Sequence, residues 1–284
     1  ILYYHLENST NMNRIQHLFG RKKSDILSIY FTAGFPTLDS TVDIINSLAE
    51  KGIDMIEIGV PFSDPMADGE VIQHSSSIAL HNGMNLTLLF SEIAEARRQH
   101  SDIPLVLMGY LNPMMQYGIE PLFRKCKEVG IDGLIIPDLP FAEYMRDYKP
   151  LCEKYDIPVI MLITPETSDE RIRLIDNNCD GFIYMVSSAS TTGTKDQFND
   201  EQKAYFRHID SLGLLHERLI GFGISNPVTF NDACRYSAGA IIGSFFIKCL
   251  EASEGNTDEA VTRLLTAIGR DGESLHDCKN NPVS

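Results

Sequence analysis

The segment IEIGVPFSDPMADG, residues 56–69, puts one carboxylate inside a β-rich run and two more in the loop that follows it. Period-two alternation sends Met55, Glu57 and Gly59 to one face and Ile56 and Ile58 to the other. The aliphatic pair suits a helix-covered face, so Glu57 is expected to point inward, near the C-terminal end of its strand. A carboxyl there is either paired structurally or catalytic. Among apolar neighbours its pKa rises toward neutrality, where it can carry a proton in either direction. Asp64 and Asp68 lie on a loop stiffened by Pro61 and Pro65, with no basic residue nearby. Acidic loop residues commonly serve as helix caps or solvated turns, and Asp68-Gly69 could simply cap the helix that follows.

A second set of residues could bind an anion. The segments STTG (190–193), GFGIS (221–225) and IIGSFF (241–246) each follow a β-rich run and consist largely of small residues whose backbone N–H groups can approach a ligand closely. Gly243 and Ser244 are expected to open a short helix whose positive end faces a phosphate. None of the three segments contains Lys or Arg, so phosphate would be held by main-chain dipoles. The same glycines could instead serve only to make tight turns between strand and helix.

The elements that must position these groups recur along the chain. Eight β-rich runs begin near residues 27, 55, 104, 133, 158, 181, 218 and 239, and amphipathic stretches such as STVDIINSLAEKG and IEPLFRKCKEVG lie between them. The joints EKGIDMIEIG, EVGIDGLIIP and NNCDGFIYM repeat one pattern of helix end, turn and apolar strand, at a period of roughly 30 residues. Eight such units close a single-domain (β/α)8 barrel of the TIM type. The runs are nearly continuous in apolar residues, as in a parallel sheet buried on both faces. A doubly wound open sheet is the structural alternative, but no GxGxxG follows the first strand. Pro150 is expected to break the helical connection after the fourth strand.

The barrel is expected to occupy residues 12–269, starting at the first methionine, with residues 1–11 as a loose N-terminal extension and 270–284 as a loose, polar C-terminal tail. Thirty-nine acidic against twenty-four basic residues give a net charge of −15, the wrong sign for binding nucleic acid or an anionic membrane. Six cysteines without a CxxC pair, and no histidine cluster at ligand spacing, argue against a disulfide scaffold or a metal site and favour reduced thiols in the cytoplasm. The longest apolar stretch, AGAIIGSFFI from residue 238, is too short to span a membrane.

The segment IEIGVPFSDPMADG resembles the signature of the tryptophan synthase alpha chain family, and LMGYLNP (107–113), IPDLP (136–140) and GFGIS are similar to its other motifs, in order from about Met12 to Gly269. This resemblance implies cleavage of indole-3-glycerol phosphate to indole and glyceraldehyde 3-phosphate. It further implies an α2β2 tetramer in which indole passes to a pyridoxal-phosphate-dependent β chain, the cofactor belonging to that chain alone. By the same resemblance Glu57 is the general acid/base, Asp68 binds the indole and Tyr184 is an active-site tyrosine. Thr192 and Gly193 fall on the family's mobile loop, and Gly223, Gly243 and Ser244 on its phosphate-binding positions. One departure lies in Ser187-Ser188-Ala189-Ser190-Thr191-Thr192-Gly193, where the family's Arg and first Gly are missing.

Two alternatives stand beside this reading: another phosphate-binding barrel enzyme of small-molecule metabolism, and a barrel that acts chiefly as an allosteric activator of a pyridoxal-phosphate partner. Synthases of the first kind usually use lysines at strand ends, and no β-rich run here contains one. The segment Met114-Met115-Gln116-Tyr117 could form a partner contact or pack the loop internally.

Overall fold

The computed structural model describes residues 12–187 and 196–270. Its eight strands are β1 (Ile26–Thr32), β2 (Met55–Gly59), β3 (Leu105–Met108), β4 (Gly133–Ile135), β5 (Val159–Ile163), β6 (Ile183–Val186), β7 (Arg218–Gly221) and β8 (Gly239–Ile242). They pair in sequence order, all parallel, and β8 closes on β1. The (β/α)8 barrel is therefore the observed architecture, and the open doubly wound sheet is excluded. Parallel neighbours need crossovers, which the helices supply.

Helix α1 (Arg14–Arg21) precedes β1; α2 (Ser40–Glu50) joins β1 to β2; α3 (Glu70–His81) and α4 (Leu86–Gln99) lead to β3. Then come α5 (Leu111–Tyr117) and α6 (Ile119–Val129) before β4, and α7 (Phe141–Glu143) and α8 (Lys149–Tyr155) before β5. The last five are α9 (Asp169–Asp176), α10 (Asp200–Ser211), α11 (Pro227–Tyr236), α12 (Ser244–Ala252) and α13 (Thr257–Ala267).

Strand alternation divides the apolar residues into two cores. Ile26, Met55, Val106, Ile135, Ile160, Leu219 and Ile241 pack inside the barrel, while Ile56, Ile58, Leu107 and Leu134 pack outward against the helices. Met55 inside and Ile56 and Ile58 outside put Glu57 on the inner face, as its parity requires. The floor is closed by α1, whose Ile15, Leu18 and Phe19 join the inner core. Asn13 fastens that helix by donating to the carbonyls of Asp132 at 2.9 Å and Asp156 at 3.0 Å and by accepting from the Ile15 amide.

Pro150 does not break the connection after β4. The chain stays helical through a π-helical turn (Tyr144–Tyr148) directly before α8, where Pro150 occupies the first turn. A proline there lacks only an N–H that a helix start leaves unpaired anyway, and the wider turn accommodates the ring.

Candidate active site

Glu57, on β2, is completely buried inside the barrel. Ser28 Oγ, on β1, donates to Glu57 Oε1 at 2.8 Å, whereas Oε2 is buried with no hydrogen-bond partner. Loss of water pushes the carboxyl up to about 8, and the serine donor, which favours the ionised form, holds it from rising further. At neutral pH Glu57 therefore carries its proton.

The β2 loop brings the second carboxylate to the mouth. Asp64 is exposed and accepts from its neighbour Ser63, while Asp68 is sheltered and accepts from the phenol of Tyr110 at 3.0 Å. Burial pushes Asp68 up to about 6, with the Tyr110 hydrogen bond acting in the opposite direction. It does not cap α3: the N-cap is Gly69, and no side chain caps that end. Tyr110 also accepts from the Ala67 amide at 2.9 Å and stacks near Phe62, with ring centroids 5.3 Å apart. Leu111 N donates to Asp138 Oδ1 at 2.8 Å, so the motifs after β2, β3 and β4 form one bonded rim.

Tyrosines make the walls. Tyr30 of β1 and Tyr184 of β6 are both buried, and their phenols are held well above the ordinary range by burial first. The nearby Glu57 and Asp68 carboxyls push both in the same direction. Each lies across a glycine of the next strand, because a Cβ on Gly59 would come within 2.2 Å of the Tyr30 hydroxyl and one on Gly221 within 2.2 Å of the Tyr184 hydroxyl. Glycine at those strand ends is what lets an aromatic ring fill the mouth. Phe222 adds a third ring, edge-on to Tyr184 with centroids 6.3 Å apart, from a backbone at φ 72° that non-glycine residues rarely adopt. Ser187 Oγ holds this turn by donating to the Phe222 carbonyl at 2.8 Å.

The candidate phosphate residues come together at the ends of β7 and β8. Gly223 has φ 78°, and among the described residues a Cβ there would meet only the Phe198 ring, in ordinary contact at 3.8 Å. Gly243 is the N-cap of α12, and Ser244 is its first residue. No side chain caps α12, whereas Asn199, Asn226 and Asn256 cap α10, α11 and α13. Among the described residues, the first N–H groups of α12 therefore have no side-chain acceptor at the N-cap. Gly243 has a packing reason as well, since a Cβ would lie 3.2 Å from the Tyr30 ring. Thr192 and Gly193 lie outside the described residues.

The structure brings Glu57, Asp68, Tyr184, Gly223, Gly243 and Ser244 to the mouth side of one barrel. Sequence reasoning missed Ser28, Tyr30, Tyr110 and Phe222. Tyr110 and Phe222 sit within motifs already singled out, and Ser28 and Tyr30 share the parity of Ile26 on β1; what was lacking was the register that sets Tyr30 beside Glu57. The methionine pair after β3 divides: Met114 is buried and Met115 is 57% exposed. Among the described residues no group of three or more His, Cys, Asp or Glu is placed to hold a metal ion, and no helix is long and apolar enough to cross a membrane.

A parallel βα barrel with an acid and a carboxylate at its C-terminal mouth, beside an uncapped helix N-terminus, has the layout of an enzyme that moves protons on a phosphorylated substrate. The chain belongs to the tryptophan synthase alpha chain family, whose model matches residues 18–275. It is 58% identical over 257 residues to the tryptophan synthase alpha chain of Phocaeicola vulgatus, covering 90% of this chain and 99% of that one. With the Bacteroides fragilis alpha chain it shares 53% over 264 residues, covering 93% and 100%. Among solved structures, the alpha subunit from Legionella pneumophila superposes with a TM-score of 0.80 at 31% identity, over 90% of this chain and 97% of that one. The aminoacrylate-bound tryptophan synthase from M. tuberculosis gives a TM-score of 0.77 at 25% identity, over 90% and 99%.

Proposed function

We infer that Glu57 and Asp68 carry out the family's reaction, the cleavage of indole-3-glycerol phosphate to indole and glyceraldehyde 3-phosphate. The observation that carries this assignment is geometric: at one mouth a fully buried Glu57 keeps Oε2 without a partner while Asp68 is bound by Tyr110, and burial pushes the first carboxyl further up, to about 8, than the second, to about 6. Glu57 delivers its proton to indole C3, which becomes tetrahedral and places positive charge on the ring nitrogen. Asp68, ionised and held by Tyr110, accepts the ring N–H and stabilises that charge. The hydroxyl on the carbon attached to the ring then loses its proton to Glu57, its oxygen becomes the aldehyde, and the electrons of the broken C–C bond return to the ring. Tyr184 stays a neutral phenol and assists the hydroxyl. Acid–base transfer of this kind is worth roughly 10²–10⁴ in rate, and the aromatic walls and phosphate site supply orientation.

The phosphate rests on the amides of Gly223, Gly243 and Ser244, with Thr192 and Gly193 completing the site. Indole passes to the β chain of an α2β2 tetramer, and pyridoxal phosphate belongs to that chain. We assign Met66, 94% exposed on the β2 loop, and Met115 to the β-chain contact. The catalytic unit takes residues 12–269, and the buried free thiols of Cys126 and Cys152 suit the cytoplasm. Indole release by the isolated chain, then with the β chain added, tests the reading: cleavage by the chain alone that rises with the partner is expected. Activation of the partner without any cleavage would make the barrel an activator instead.

A further inference from the structure

Glu57 is pinned on one side only. Ser28 Oγ reaches Oε1 from the neighbouring strand, and both residues are completely buried. In the strand register Ser28 pairs with Met55 and Tyr30 pairs with Glu57, so Ser28 stands one inward row nearer the barrel floor than the carboxyl it touches. Oε2 is the oxygen without a partner. A serine has one O–H to give, and a protonated carboxyl offers one good acceptor, its carbonyl oxygen. The donor therefore makes Oε1 the carbonyl oxygen and leaves the acid proton on Oε2.

We propose that Ser28 is a positioning residue for Glu57: by engaging Oε1 from the floor side, it makes Oε2 the oxygen that delivers and recovers the proton of the reaction. This rests on the assignment of Glu57 as the acid/base. In the forward step the Oε2–H bond breaks as the indole C3–H bond forms; in the return step the substrate O–H bond breaks and Oε2–H forms again, so no proton is gained or lost over the cycle. One oxygen serves both steps because the other stays bonded to serine throughout. The same bond tunes proton affinity, since a donor to the carboxylate favours ionisation against the burial that opposes it. Among the described residues, the titratable groups that face Glu57 are the phenols of Tyr30 from β1 and Tyr184 from β6, both held neutral by burial.

The full chain, alone and with its β chain, should be compared with Ser28→Ala, Ser28→Cys and Glu57→Gln in indole release across the pH range. Ser28→Ala should lower kcat about tenfold at pH 7 with KM within about twofold, and move the high-pH limb of kcat upward by roughly one unit. Ser28→Cys keeps the size with a weaker donor and should move the limb less, restoring part of kcat. A Ser28→Ala enzyme with the parent's kcat and pH limb overturns the proposal, as does one that loses thermal stability while its limb stays in place. If Ser28→Ala does not fold, the cysteine variant decides: an upward shift supports the proposal and an unmoved limb overturns it. Failure of the underlying assignment looks different, because Glu57→Gln would then retain activity.

Discussion

Tyr110 donates to Asp68 Oδ2 at 3.0 Å and accepts from the Ala67 amide at 2.9 Å, so one phenol from the loop after β3 fixes both the carboxylate and the backbone of the loop after β2. The bond also favours the ionised form of Asp68. Tyr110→Phe removes that preference, and the Asp68 carboxyl should titrate at a pH above about 6. Activity should fall more at pH 6 than at pH 8, with kcat/KM about tenfold lower near neutrality. A pH profile of the variant checks this; a uniform loss at all pH values would mean the phenol only packs.

The parent enzyme should show a bell-shaped pH profile. Cleavage needs Asp68 ionised, so the rate rises as pH passes about 6, and needs Glu57 protonated, so the rate falls as pH passes about 8. Initial rates of indole release at subsaturating substrate report these two limbs for the free enzyme. A rate still climbing at pH 9 would remove Glu57 as the acid.

Glu57→Gln should abolish indole release while leaving the fold and β-chain binding intact, because the amide keeps the size and cannot transfer a proton. The sign of its stability effect follows from the raised carboxyl. Folding favours protonated Glu57, so the contribution of this one group to stability is fully present below about 4.5 and is lost as pH rises through about 8. The glutamine variant should therefore gain roughly 5 °C in Tm at pH 9 and much less at pH 5, a difference that calorimetry at the two pH values would detect. Asp68→Asn should also cost activity strongly, whereas exposed Asp64→Asn should cost little.

Phosphate binding by main-chain dipoles predicts a contrast between two neighbours on α12. Gly243→Val should raise KM steeply by filling the approach to the helix N-terminus and crowding the Tyr30 ring, while exposed Lys248→Ala should change it less than about twofold. In the reverse reaction the valine variant should raise KM for glyceraldehyde 3-phosphate and spare that for indole. Equal effects of both substitutions would place the phosphate elsewhere.

By itself the sequence determined the eight-unit alternation, the inward parity of Glu57 and the helix opening at Gly243-Ser244. These are local consequences of strand and helix period and of where glycine can stand. It also marked Asp64 and Asp68 as candidates; only the family resemblance favoured Asp68, because residue type and spacing cannot show exposure and partners, which depend on the next loop. Tertiary structure separates the two by bringing Tyr110 to Asp68 from 42 residues away. Pairing of β1 with β2 likewise put Ser28 under Glu57 and Tyr30 over Gly59, since strand register is a property of two segments and cannot be read from either alone. Pro150 shows the same limit in reverse: a residue that breaks helices in isolation is tolerated once a π-helical turn gives its ring a place at a helix start. The carboxyl values near 8 and 6 belong wholly to the folded chain, because they come from burial, which exists only after the barrel has closed.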